Sequence, residues 1–446
     1  MRPNTLGLPG PTQWDMARRF GAISSDPLTF LEQTQSLYGD LVALPVPGAP
    51  TLLLCDPGAV RHVLQGNGRN WSKATRQYFA LATVTGPGLL AVSDDRWLGR
   101  RRVAAPAFHH SRMAAIRASV AEAARTVVDS WAGLATGGEI VDVHGLSMQI
   151  ALDVVGRTLF DRDLADLTAD LVRATDEAAE LVVAQGRSLP WPSWVHTSVN
   201  RRLRVSVAAL DNICRQLVTD RRARGVSERD TDLLGLLVAA DLPDDAIRDE
   251  LVTAVVAGHE TVASALTWTL MLLAEHPEAQ RRLREEARTA GEWTQPRRPG
   301  QLAWTRAVVD ESLRLFPPGW VLSRRSAQAD SIGGRAVPAG TLAIISPWLL
   351  HRDARSWPHP NDFRPERFLP ETATRARADY VPFGLGGRLC IGRDFALVEL
   401  TILLVELLRD YVVELPSGWK RPECHALVTL RPRAGLRLVI RGCSGR

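Results

Sequence analysis

The run Phe383-Gly384-Leu385-Gly386-Gly387-Arg388-Leu389-Cys390-Ile391-Gly392 places one thiol at the end of a glycine-rich turn, with a cation two residues before it. A helix is expected just beyond, over roughly Phe395 to Leu408. Gly384 and Gly386 carry no Cβ, so the chain can turn sharply and come close to a flat group. Backbone N–H groups in such a turn can point at the sulfur and tune a bound metal. Phe383 can pack over the sulfur and exclude water, Arg388 can hold a carboxylate by charge-assisted hydrogen bonds, and Gly392 lets the following helix start close by. That helix N-terminus is expected to favour the thiolate over the thiol. A lone cysteine is ordinarily a small buried hydrophobe. Here the ten-residue combination, not the cysteine alone, points to axial ligation of iron by sulfur, the arrangement that favours O–O cleavage on haem.

Position for position, this run resembles the haem-binding signature of the cytochrome P450 superfamily. The resemblance implies a mainly α fold, a large helical domain with small β-sheets at its edges, spanning residues 1–446 as one haem domain. It implies haem b (iron protoporphyrin IX) as cofactor, with Cys390 as the iron ligand and Phe383, Arg388 and Gly392 around it.

Composition agrees with a globular protein that has a sizeable core: 45% of residues are hydrophobic and 23% charged. The five cysteines are widely spaced and form neither a disulfide framework nor a zinc pattern, so Cys55, Cys214, Cys424 and Cys443 are expected as free thiols in a reducing compartment. No run approaches the roughly 18 apolar residues of a membrane helix. The N-terminal stretch also lacks a signal-peptide core and carries Pro9-Gly10-Pro11 instead. A cytoplasmic protein without a transmembrane anchor is expected. The net charge is +5, but arginine is spread through helical segments without a basic tail or an aromatic-interleaved stripe, which argues against nucleic acid as a partner. A basic face that docks an acidic redox protein is the sharper alternative.

Apolar spacing predicts helices over Arg117–Trp131, Leu167–Val183, Val205–Arg222, Asp244–Glu275 and Glu278–Ala290. Strand-like segments are Leu41–Val46, Thr51–Cys55, Ala336–Ile345 and Thr429–Ile440. The first two flank a Pro-Gly turn and read as a hairpin, with Pro45 placing the first at an edge. Charged or Pro/Gly-rich loops are expected at Arg221–Asp232 and Glu292–Arg298.

The longest helix starts behind Asp244 and Asp245 and stops before Pro277. Its middle reads Ala257-Gly258-His259-Glu260-Thr261, and Ala254, Gly258, Thr261 and Ala265 fall at helical spacing. Small residues there would let a flat cofactor lie against the helix. An acid and a hydroxyl in mid-helix are costly to bury unless paired. Glu260 and Thr261 resemble the acid–alcohol pair of the same superfamily, which binds oxygen and relays protons. Two rival motifs fail. His259-Glu260 opens a zinc-protease pattern, but residue 263 is Ala, and Gly384-x-Gly386 opens a dinucleotide fingerprint, but residue 389 is Leu.

Glu311 and Arg314 stand three apart, and alone they would be an ordinary helix pair. Beside Asn361-Asp362-Phe363-Arg364-Pro365-Glu366-Arg367-Phe368, the resemblance implies a buried triad of Glu311, Arg314 and Arg367 that braces the cysteine loop. Trp97 and Arg101, four apart on a helix, match positions that reach a haem propionate, as do Arg324 and Arg388. Ala257 and Gly258 are implied to lie against the haem. His351-Arg352-Asp353 also matches a family stretch, with no chemistry assigned.

The activity implied is monooxygenation: one oxygen atom of O2 enters a C–H bond of a large hydrophobic substrate. The segments expected to line the pocket are Tyr78–Leu90, Trp191–Trp194, Gly319–Leu322 and Ala426–Leu430, all largely apolar. Lys73-Ala74-Thr75, Val256–Trp268 and Gly392–Leu397 are similar to a subgroup of bacterial carotenoid-ring hydroxylases, so a carotenoid ring is the leading substrate. Fatty acids and cyclic terpenes are the alternatives. Electrons are expected from a separate ferredoxin or flavodoxin with its reductase. Of other classes, a haem ligand sensor without turnover and a peroxide-using haem enzyme remain, and the Glu260-Thr261 pair argues against both.

Overall fold

The computed structural model describes residues 6–92, 96–134, 139–164, 166–187, 197–225, 227, 231–291, 293, 301–372 and 379–443. The helices in chain order are α1 Gln13–Ser25, α2 Pro27–Tyr38, α3 Pro57–Arg61, α4 Arg76–Thr85, α5 Arg96–Ala104, α6 Met113–Leu134, α7 Val143–Val155, α8 Thr168–Arg187, α9 Ser198–Arg224, α10 Leu233–Ala239, α11 Asp244–Glu275, α12 Pro277–Thr289, α13 Ala303–Leu315, α14 Pro347–Leu350 and α15 Arg393–Asp410. The strands are β1 Leu41–Leu44, β2 Thr51–Leu54, β3 Trp71–Ser72, β4 Ile140–Asp142, β5 Leu322–Ser326, β6 Asp330–Ile332, β7 Arg335–Val337, β8 Leu342–Ile345, β9 Tyr411–Glu414, β10 Cys424–Ala426, β11 Leu430–Pro432 and β12 Arg437–Gly442. The fold is mainly α with small sheets.

The 32 residues of α11 span about 48 Å at 1.5 Å per residue. The helix starts and stops where the acidic pair and Pro277 predict, with Asp244 and Asp245 in its first turn beside the positive end of the dipole. It packs against α7, α9, α13 and α15. From Val262 to Ala274 every residue is buried, so this half of the helix is the axis of the core. α7 escapes the apolar-spacing rule because eight of its thirteen residues are buried, which leaves little polar face to mark a period.

The five-stranded sheet has the order β1-β2-β8-β5-β3. β1 and β2 are the expected hairpin, and β1 is the edge strand, ending just before Pro45. Two expected strands are each split in two. Ala336–Ile345 divides into β7 and β8 around Pro338-Ala339-Gly340, where Gly340 has φ +80°. Thr429–Ile440 divides into β11 and β12, which belong to different sheets. In both cases a proline or a left-handed glycine stops the ladder. The helix preceding the expected Arg221–Asp232 loop runs on to Arg224; residues 226 and 228–230 of that loop, and most of Glu292–Arg298, lie outside the described residues. No helix among the described residues is long and apolar enough to cross a membrane.

Candidate active site

The cysteine loop is tied by its own backbone. Gly384 N–H donates to Val381 O at 3.1 Å, Leu389 N–H to Gly386 O at 3.0 Å, and Cys390 N–H to Phe383 O at 3.0 Å. Gly384 and Gly386 have φ of +72° and +68°, the left-handed region that suits glycine. Their surroundings differ. A Cβ on Gly386 would stand 2.1 Å from Leu64 O and 2.9 Å from Gln65 Cα, whereas one on Gly384 would meet nothing within 4 Å. Gly386 therefore lets the loop pack on the His62–Gly66 turn, a backbone contact and not the approach to a flat group expected from the sequence. Gly384 keeps its open side.

Cys390 is exposed, yet burial pushes its thiol up. Both hold when protein surrounds the sulfur on most sides and leaves one side open. The helix start favours the thiolate as expected, since the Gly392 N–H pulls the pKa down together with Lys73, Arg101 and Arg393, but burial outweighs them all. Coordination by a metal cation deprotonates such a thiol outright.

Four cations gather near that sulfur. Arg101 Nη1 donates to Leu389 O at 3.1 Å, and Arg388 Nη1 donates to Val92 O at 2.8 Å. Both guanidinium groups lie over the Trp97 ring, at 5.4 Å and 4.0 Å. Arg324 Nη1 donates to Tyr78 Oη at 3.2 Å. Lys73, which sequence reasoning met only in a similarity string, completes the group. Its Nζ donates to Leu90 O at 2.8 Å and sits 4.7 Å from the Tyr78 ring centroid. Burial, then repulsion from Arg324 and Arg388, hold the Lys73 ammonium well below its usual range. Among the described residues, Lys73, Arg101 and Arg324 have no carboxylate partner. Lys73 and Arg324 are buried and Arg101 half-buried, and uncompensated buried cations are costly. Two haem propionates would supply the missing charge, so the donor set fits the group that the sequence implies.

The opposite wall is α11. Ala257 is exposed and Ala254, Val256, Gly258 and Thr261 are half-buried, although the helix on either side is deeply packed. Ala257 and Thr261 share a face at i,i+4 and open the helix to the cavity. Gly258 does not serve as expected: a Cβ there would stand 3.1 Å from Val155 Cγ2, so its smallness lets α7 pack close. Ala265 is buried and lies beyond the open stretch. Thr261 Oγ1 donates back to Ala257 O at 2.5 Å. Glu260 and Thr261 are not joined to each other. The buried Glu260 carboxylate side chain accepts from Thr429 Oγ1 at 2.6 Å, and burial pushes its pKa up against the pull of Thr429 and Arg431.

The cavity roof is clamped to α11. Leu89 N–H donates to Glu250 Oε2 at 3.0 Å and Arg100 Nη1 donates to Glu250 Oε1 at 2.7 Å. Neither Glu250 nor Arg100 was singled out from sequence, since an isolated Glu and Arg 150 residues apart carry no local signal. Of the expected lining, Tyr78, Leu81 and Val84 on α4, Trp320, and Ala426 and Leu430 on the β10–β11 hairpin are buried apolar residues packed into the core, and Leu427 is buried as well. Trp191–Trp194 lies outside the described residues.

The structure brings Glu311, Arg314 and Arg367 together. Arg314 Nε and Nη2 donate to Glu311 Oε2 and Oε1 at 2.7 and 2.8 Å, and Arg367 Nε donates to Glu311 Oε1 at 3.3 Å. Arg314 Nη1 also donates to the carbonyls of His351 and Pro360, each at 2.7 Å, and Nη2 to that of Asp362 at 3.1 Å. His351, given no role from sequence, completes the connection. Its Nδ1 lies 3.2 Å from Arg314 O, and Val381 N–H donates to its Nε2 at 2.9 Å. That requires the neutral Nδ1–H tautomer, and burial with two flanking guanidiniums pushes its pKa down to about 3. The brace thus ends on Val381, at the entrance of the cysteine loop.

The comparisons agree with this geometry. The sequence model of the family described as Cytochrome P450 matches residues 9–438. Cyclooctat-9-en-7-ol 5-monooxygenase of Streptomyces melanosporofaciens is 33% identical, covering 91% of this chain and 89% of its own. The chloroplastic protein LUTEIN DEFICIENT 5 of Arabidopsis thaliana is 30% identical over 90% of this chain and 72% of its own. The crystal structure of CYP175A1 from Thermus thermophilus superposes with a TM-score of 0.81 at 31% identity, covering 97% of this chain and all of that one. The family model spans nearly the whole chain, and relatives and solved structures match over most of its length, so this chain belongs to the cytochrome P450 family.

Proposed function

We propose that this P450 hydroxylates a large hydrophobic isoprenoid, with a carotenoid ring as the leading substrate and cyclic terpenes or fatty acids as the alternatives. The observation that carries the reading is the apolar character of the expected lining: Tyr78, Leu81 and Val84 on α4, Trp320 and Leu427 are hydrophobic and buried, and the accessible face of α11 offers Ala254 and Ala257. A substrate held there is oriented mainly by burial. Among relatives, one name refers to lutein and others to the terpenoids cyclooctatin and pentalenene, which supports the isoprenoid class.

Cys390 Sγ would hold the iron of haem b, and Lys73, Arg101, Arg324 and Arg388, with Trp97 beneath two of them, its propionates. The chemistry supplied by the bound haem is activation of O2 and insertion of one of its oxygen atoms into a substrate C–H bond. The Thr261 hydroxyl, now turned to Ala257 O, reaches the cavity by a change of χ1 and passes a proton there. Glu260 is the acid that replenishes it, its proton held more tightly by burial. On this reading the protein works in the cytoplasm and takes electrons from a separate ferredoxin or flavodoxin and its reductase.

Titration of the ferric haem-loaded protein with β-carotene, a long-chain fatty acid and a cyclic sesquiterpene tests the substrate. A low-to-high-spin shift of the Soret band is expected with β-carotene. A shift with the fatty acid alone would overturn the isoprenoid assignment.

A further inference from the structure

The acid of the proposed relay is held from outside its own helix. Thr429 Oγ1 donates to Glu260 Oε1 at 2.6 Å, and both side chains are buried. Thr429 ends the turn between β10 and β11, within the hairpin that lines the cavity. That hairpin is pinned to α11 one residue further on. Ser264 Oγ and Trp268 Nε1 both donate to Leu430 O, at 2.5 and 2.8 Å, and Leu430 N–H donates to Pro318 O at 3.1 Å. Thr429 thus cannot drift from Glu260 without breaking three buried hydrogen bonds.

Two residues beyond Thr429, β11 reaches toward the surface through Arg431, whose charge also acts on Glu260. Arg431 donates to Asp176 at 2.8 Å and to Glu180 at 3.0 Å, both on α8. The Arg431 side chain is 9% exposed, Asp176 38% and Glu180 57%, a gradient from interior to surface. The charged groups that act on Glu260 are Arg431 on the hairpin and Asp176 on α8, with Glu180 paired to Arg431 behind them, His144 on α7 within reach of the Arg431 charge, and the neighbouring His259 held neutral by burial with a pKa of about 4.

We infer that Thr429 is a positioning residue of the oxygenation reaction, which holds the Glu260 carboxyl on the hairpin side of α11, toward Arg431, Asp176 and Glu180. The inference rests on the relay reading of Glu260. In the cycle, Glu260 gives its proton through intervening water to the Thr261 hydroxyl as that hydroxyl passes its own onward. The resulting carboxylate takes a proton from water at the Asp176–Glu180 surface. No electron moves in these steps. A hydroxyl donor favours the carboxylate form, so Thr429 also sets how tightly Glu260 keeps its proton.

The test is an infrared pH titration of the full-length, haem-loaded protein, in which the protonated-carboxyl band lost in Glu260→Gln identifies Glu260. Thr429→Val is expected to bind that proton about tenfold more tightly, the scale of one hydrogen bond to a charged group, and Thr429→Ser to restore the original titration. The fraction of oxygen recovered in product, measured with β-carotene as probe and a surrogate ferredoxin and reductase, should show its alkaline fall shifted in the same direction. A reduced carbonyl spectrum confirms that each variant keeps thiolate-ligated haem. Should Thr429→Val fail to fold, Arg431→Gln leaves Thr429 in place and is expected to shift the titration the same way. An unmoved Glu260 band in Thr429→Val overturns the positioning role alone. Coupling that is unchanged in Glu260→Gln overturns the relay reading, and with it the catalytic meaning of Thr429, whatever the infrared titration shows.

Discussion

Replacing Arg314 by Met is the sharpest test of how the cysteine loop is held. The guanidinium is fully buried, grips Glu311 with two nitrogens and also satisfies three backbone carbonyls. Methionine fills most of the volume but leaves the Glu311 charge facing Arg367 at 3.3 Å and the Arg364 N–H at 2.8 Å only. Removing one member of a buried pair costs about 3–5 kcal/mol. Each orphaned carbonyl that water cannot reach adds roughly 1–3 kcal/mol. A total of at least ~4 kcal/mol is a large fraction of the 5–15 kcal/mol typical of a folded protein. The assay is urea unfolding, followed in parallel by circular dichroism and by the Soret band. The haem signal should be lost first, because Arg314 O holds His351 and His351 holds Val381. The double variant Glu311→Gln with Arg314→Met should be more stable than Arg314→Met alone, since the fully buried Glu311 charge is no longer stranded. A loss below ~1 kcal/mol for Arg314→Met, far under the cost of stranding a buried charge, would refute the brace. So would coincident loss of the two signals.

Three further outcomes follow from particular residues. Lys73→Met should release haem to apomyoglobin about tenfold faster or more, the scale of one charge-assisted hydrogen bond; an unchanged rate would remove Lys73 from the propionate set. Gly386→Ala should fail to incorporate haem because its Cβ meets Leu64 O, whereas Gly384→Ala should cost only the backbone strain of about 1–2 kcal/mol; equal behaviour of the two would contradict the packing argument. Glu399 is wholly buried with both carboxylate oxygens unpartnered, and burial pushes its pKa well above the usual range. With the folded pKa raised, the unfolded chain releases this proton first, so Glu399 costs stability increasingly as pH rises from its unfolded value toward the folded one. Glu399→Gln should therefore gain in melting temperature relative to wild type between pH ~5 and ~8, and a gap that does not change with pH would show that Glu399 is paired.

The long-range parts of the site were the hardest to read from sequence, for a physical reason. Local chemistry marks its own place: acids before α11 and Pro277 after it set the helix ends, and a glycine-rich turn ahead of one cysteine marks the loop. Azimuth around a helix is set by packing instead. Nothing in Ala257–Thr261 tells that Glu260 turns toward Thr429, 169 residues away, or that Gly258 faces Val155. Lys73 acquires its meaning only when β5 brings Arg324 beside Tyr78. His351 likewise shows no chemistry in its own stretch, because its two partners, Arg314 and Val381, come from either side of it in the chain.

Every role assigned around this cavity depends on Cys390 Sγ being the iron ligand of a haem held among these cations. The decisive experiment is the reduced carbonyl spectrum of the purified, haem-loaded protein, set beside that of Cys390→Ala. A thiolate-type Soret band is expected in the wild type and should be lost in Cys390→Ala. A thiolate-type band that persists in Cys390→Ala would contradict the assignment.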